Sequence, residues 1–116
     1  MISRMKKMEA VIRVERLRLV QKRIKELKIG GIILHASGWS KSRELHARYR
    51  GLPVSYDLIP VAKVEVIVPD DKIDLVVNTI KESARTGEVG DGVIVVSNLE
   101  SFINIATMDD SEKQFE

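Results

Sequence analysis

Thr86-Gly87-Glu88-Val89-Gly90-Asp91-Gly92 gathers three glycines and one aspartate into a short stretch, between a helical pattern and the strand-like run Val93-Ile94-Val95-Val96. Glycine carries no Cβ, so its backbone N–H can turn toward a ligand with nothing in the way. Several such N–H groups in succession form a concave nest suited to phosphate. Glycine spacing alone leaves a second reading open: a plain helix-to-strand connection with Gly87 as the C-cap. Asp91 has no nucleophile or second acid–base partner beside it, so loop structure suits it better than catalysis.

Few other residues offer chemistry. There is no cysteine, which excludes disulfides, thiolate nucleophiles and thiolate metal sites. His35 and His46 are the only histidines and have no partners visible in sequence, so no metal or catalytic role is assigned to them. The 116 residues read as one domain, 1–116, long enough to bury a core. No apolar run is long enough to span a membrane and no signal-peptide core stands at the N-terminus, so the expected location is cytoplasmic. A net charge of +2 does not argue for nucleic acid, and scarce aromatics argue against a base-stacking surface. The charge is uneven, however. Arg4, Lys6, Lys7, Arg13, Arg16, Arg18, Lys22, Arg23, Lys25 and Lys28 make the N-terminal part basic, and Asp109, Asp110, Glu112 and Glu116 make the tail acidic. A solvated helix face and a loose tail account for both.

The elements that must position the glycine loop follow from periodicity. Met8–Val14 alternates as a half-buried strand does. Leu17, Val20, Ile24 and Leu27 recur at helical spacing, with Gly30 and Gly31 as the stop. Ile32-Ile33-Leu34 reads as a short buried strand. Gly38 to Pro60 shows no sustained apolar period and reads as a long loop, the kind that is functional or disordered in a compact domain. Trp39 at its base either covers a ligand or, the preferred reading, anchors the loop against the core. Ala62, Val64, Val66 and Val68 share one face of a strand that Pro69 ends. Asp70 or Asp71 caps the next helix, whose Ile73, Val76, Val77, Ile80 and Ala84 form a buried stripe. The strand Val93–Val96 follows the glycine loop, then a short strand Phe102–Ala106 and a frayed tail over about 108–116. Strand–helix–strand repeated twice predicts an α+β, ferredoxin-like βαββαβ sheet with both helices on one face. The uncovered sheet face then calls for a partner, most simply another copy.

Four segments in this order resemble the PII signal-transduction (nitrogen regulatory) family over Lys6 to Thr107. They are Lys6–Arg13 as its first strand, Tyr49-Arg50-Gly51 as the tip of its T-loop (about 38–60), Val64–Asp71 as its third strand and helix start, and Thr86–Gly92 as its B-loop. The resemblance implies a homotrimer and a regulator, not an enzyme. It implies ATP or ADP bound in clefts between subunits, 2-oxoglutarate bound with Mg-ATP, and T-loops that dock on an ammonium transporter or a nitrogen-assimilation enzyme. Membrane contact would then be indirect, through the transporter. By position, Thr86, Gly87, Gly90, Asp91 and Gly92 would wrap phosphates, and Gly38 would open the T-loop beside them. Ile12, Glu65 and Val66 would line base and ribose, with Gly31 across the subunit boundary. Lys41, Arg43, Arg48, Tyr49 and Arg50 would face the partner.

The departures point elsewhere. Val93, Asn104 and Ala106 stand where the family carries cations for the phosphates, Ser42 where it carries the glutamine for Mg and 2-oxoglutarate, and Ile33 where a threonine reads adenine. A charge-assisted phosphate contact contributes roughly 1.5–3 kcal/mol. The expectation is therefore weak or altered nucleotide binding and little or no response to Mg and 2-oxoglutarate. The alternative is a trimeric interaction protein that has lost both.

Overall fold

In the computed structural model of the chain, residues 4–39, 45–49, 52–56 and 58–111 are described, with backbone only for 45–49 and 52–56. They form β1 (Met5–Arg13), α1 (Leu17–Glu26), β2 (Ile32–Gly38), β3 (Leu45–Tyr49), β4 (Leu52–Tyr56), β5 (Ile59–Pro69), α2 (Ile73–Ala84) and β6 (Gly92–Asn98). The main sheet has the order β2-β5-β1-β6, antiparallel throughout, which is the ferredoxin-like arrangement.

The alternation in β1 and β5 explains the core. Met8, Ala10 and Ile12 lie opposite Val66, Val64 and Ala62, and all six are buried under the helices. Val20 and Ile24 of α1 and Val76 and Ile80 of α2 close over them. Each large side chain buried this way contributes about 1.5–3 kcal/mol. The stripe predicted for α2 is present, with Val77 half-buried.

Several elements differ from their sequence expectations. β2 runs seven residues to Gly38 and is largely exposed, because it is an edge strand and its outer face has nothing over it. The segment read as loop contains a separate hairpin, β3 with β4, registered from Leu45 opposite Tyr56 to Tyr49 opposite Leu52. A ladder with no strand neighbour in the main sheet needs no apolar alternation, so periodicity missed it. Asp70 and Asp71 do not cap α2; they form a 3-10 turn with Lys72, and the Asp70 amide donates to the Arg4 carbonyl at 2.8 Å. Phe102–Ala106 is not a strand: Asn104 and Asp109 form a single bridge that closes a tight loop. That loop is hydrogen-bonded through Met108 and Ser111; residues 112–116 of the expected frayed tail lie outside the described residues.

Neither Gly30 nor Gly31 stops α1. The helix ends through Leu27 and Lys28, whose amides donate to Ile24 and Lys25, and Lys28 takes the left-handed conformation at φ 63°. A side chain there costs roughly 1 kcal/mol relative to glycine. Lys28→Gly should raise stability by about 0.5–1 kcal/mol, seen as a higher urea midpoint at unchanged slope. A lower midpoint would show that the lysine side chain outweighs the strain.

Candidate functional site

α2 ends at Ala84, with Arg85 extended as its C-cap, so Gly87 lies beyond the cap position left open by the sequence. The chain then turns through positive φ at Gly87 (90°), Gly90 (99°) and Gly92 (112°), backbone geometry that side chains rarely adopt. Asp91 organises this turn from inside. Its Oδ2 accepts the amides of Thr86 at 2.8 Å and Gly87 at 2.9 Å, and its Oδ1 accepts the Thr86 hydroxyl. Arg13 Nε donates to the same Oδ1 at 2.9 Å, and Arg13 Nη2 donates to the Val89 carbonyl at 2.8 Å. The Thr86 hydroxyl first, then the Arg13 guanidinium and the two amides, hold the Asp91 carboxyl well below the usual carboxylate range. The Glu88 amide donates to Thr86 Oγ1 at 3.2 Å. Among the described residues, side chains thus engage the amides of Thr86, Gly87 and Glu88, and none engages those of Val89 or Gly90.

The pairing of Ile12 with Gly92 and of Gly38 with Ile59 brings the loop, β1 and the end of β2 around one cavity of about 600 Å³. Ile12, Arg13, Gly38, Trp39, Gly90, Gly92 and Val93 line it. Trp39 does not anchor the loop base in the core: it is 80% exposed and stands at the cavity wall. An adjoining cavity of about 430 Å³ is lined by Ile12, Lys81, Arg85, Asp91 and Gly92. Gly31 and Val66 lie elsewhere, on a third cavity of about 690 Å³ further along β5, with Ile33, Lys25 and Lys28. Glu65 points to the open face, in a cluster with Lys7, Glu9 and Lys63. There Lys7 meets Glu9 at 2.8 Å, and Lys63 meets Glu65 at 3.2 Å and Glu9 at 3.3 Å. Hydrogen bonding to Lys7 and Lys63 lowers the Glu9 pKa. The bond to Glu9 raises the Lys7 pKa, and bonds first to Glu65 and then to Glu9 raise that of Lys63. Exposed Ile32, Leu34, Val93 and Val95 flank this neutral cluster on β2 and β6.

Lys41, Arg43 and Arg50 lie outside the described residues, and Arg48 and Tyr49 are placed on β3 by backbone pairing alone. Val93 is 60% exposed at the cavity edge. Asn104 is buried and faces its own loop: Oδ1 accepts the Ala106 amide at 2.9 Å, and Nδ2 donates to the Ser111 carbonyl at 3.4 Å. Arg13 was legible in the sequence only as one charge among many. Its partner lies 78 residues away, and only the strand pairing reveals it. Among the described residues, no group of three histidine, aspartate or glutamate side chains could hold a metal ion, and no helix is long and apolar enough to cross a membrane.

Comparison with known families decides what this arrangement belongs to. The family model for nitrogen regulatory protein P-II matches residues 5–109. The chain belongs to the P-II family. A nitrogen regulatory protein P-II of Pyropia yezoensis is 40% identical over 106 residues, 90% of this chain and 95% of that one. A nitrogen regulatory protein P-II 2 of Methanothermobacter thermautotrophicus is 34% identical over 110 residues, 94% of this chain and 96% of that one. The structure is similar to that of Arabidopsis thaliana PII bound to citrate, with a TM-score of 0.74 and 30% identity over 96% of this chain and 89% of that one.

Proposed function

We propose that this P-II chain is a nitrogen-regulatory signalling protein, not an enzyme, that binds ADP or ATP weakly beside the B-loop and acts on a partner through its T-loop. The partner class is an ammonium transporter or a nitrogen-metabolism enzyme. The observation that supports this best is the convergence of the positive-φ glycines Gly90 and Gly92 with Gly38, Ile12 and Trp39 around one cavity. Gly87, Thr86 and Asp91 shape the loop behind it. A homotrimer formed through the open sheet face would cover Ile32, Leu34 and Val95 without stranding the paired charges between them, and would leave Val93 at the cavity edge. Such an assembly would also bring one chain's cavity at Gly31 and Val66 toward another chain's loop.

A second reading rests on the missing cations. Val93, the inward-turned Asn104 and Ala106 leave a phosphate with the backbone nest and little else, so the protein would be a trimeric display of T-loops with no adenylate or 2-oxoglutarate control. Calorimetry with ADP and ATP, with and without Mg and 2-oxoglutarate, separates the two. The proposal expects saturable adenylate binding, one site per chain, unchanged by 2-oxoglutarate. No heat with any adenylate would establish the second reading.

A further inference from the structure

We infer that Arg13 and Asp91 form a positioning pair that fixes the shape of the B-loop, with the Asp91 carboxylate serving as an internal anion for the Thr86 and Gly87 amides. The inference rests on the adenylate reading above and adds how the loop selects its free donors. One carboxylate oxygen takes both amides, at 2.8 and 2.9 Å. The other takes the Thr86 hydroxyl and Arg13 Nε. Arg13 then reaches past Asp91 to the Val89 carbonyl, so one guanidinium ties two points of the turn to the end of β1. Arg16 adds a third tie, from Nη2 to the Arg85 carbonyl at 3.3 Å.

This arrangement divides the loop's amides into two sets. Thr86 and Gly87 serve the internal anion, and Glu88 serves the Thr86 hydroxyl. Val89 and Gly90 are left for a ligand, and Gly90 lines the cavity. A bare carboxylate beside that cavity would repel phosphate. Arg13, which also lines the cavity, neutralises it. The pair therefore lets an anion approach a loop that already contains one. A lysine at position 13 could supply the charge but not the two-pronged contact to Asp91 and Val89.

The test uses the full-length protein and the variants Asp91→Asn, Arg13→Gln and Arg13→Lys, each checked for native circular dichroism. Amide hydrogen exchange is followed at Thr86 and Gly87 without nucleotide, and ADP affinity is measured alongside. Asp91→Asn should speed exchange at both amides at least tenfold and weaken ADP about tenfold. Arg13→Gln and Arg13→Lys should both weaken ADP, because charge alone does not restore the geometry. Wild-type exchange at Thr86 and Gly87 in Asp91→Asn would overturn the inference, as would full rescue of ADP affinity by Arg13→Lys. Absence of ADP binding by the wild-type protein is a different failure. It removes the adenylate reading, and the exchange data alone then decide whether the internal anion exists.

Discussion

Gly92→Ala should be the most damaging single substitution in the site. Gly92 opens β6 opposite Ile12, at φ 112°. A Cβ built there would lie 1.8 Å from the Val11 carbonyl oxygen and 2.9 Å from its carbon. Both are main-chain atoms of the central strand β1, so no side chain can rotate away to make room. The positive φ costs about 1–3 kcal/mol for a residue with a side chain. Relief of the clash then demands that β6 leave β1 at this end, which moves Asp91 and Gly90 away from Arg13. A loss of more than about 3 kcal/mol is expected, a fall in melting temperature of roughly 10 °C or more for a domain of this size. Thermal unfolding followed by circular dichroism measures it. A fall of only a few degrees would mean that β6 is not held this tightly against β1. Gly87→Ala is the informative contrast: its φ is 90°, yet a Cβ there meets nothing within 4 Å, so strain alone acts.

The second large effect is a gain. Val93 is exposed at the edge of the cavity, directly after Gly92. Val93→Lys puts a cation beside the expected phosphates without disturbing the core. A charge-assisted contact of this kind contributes roughly 1.5–3 kcal/mol, about ten- to hundredfold in affinity. Solvent exposure lowers that figure, so a gain of about tenfold in ADP affinity is expected, falling with added salt. Calorimetry against ADP at two salt concentrations reads both features. Asn104→Arg should give no such gain. Asn104 is buried, and its amide ties the Ala106 and Thr107 amides and the Ser111 carbonyl together. An arginine there loses those bonds and unravels the closing loop before it reaches any ligand.

What the sequence revealed and what it concealed follow from the same physics. β1, β5 and α2 were legible because each has one face against the core, and burial on one face imprints a period of two or of 3.6. β2 carries a weaker imprint, since it is an edge strand whose outer face has no cover. The β3–β4 hairpin carries none, because it has no neighbour in the main sheet. Phe102–Ala106 misled for the opposite reason: it is apolar at every position but Asn104, yet Ile103 and Ile105 are exposed, and Asn104 folds the segment back on itself. The glycine loop was legible because glycine is the signature of positive φ. The role of Asp91 was half legible. Its place in loop structure was expected, but Arg13 sits far away in sequence and becomes a partner only through the Ile12–Gly92 pairing. Lys28 shows the limit of glycine rules, since a lysine occupies the left-handed position that Gly30 was expected to supply.

Trp39 makes the central claim directly measurable. It is the single tryptophan of the chain and lines the cavity with Gly38, Gly90 and Gly92. ADP titrated into the wild-type protein should shift its fluorescence in a saturable way, with one site per chain and a midpoint matching calorimetry. Emission that stays unmoved up to millimolar ADP would contradict adenylate binding beside the B-loop.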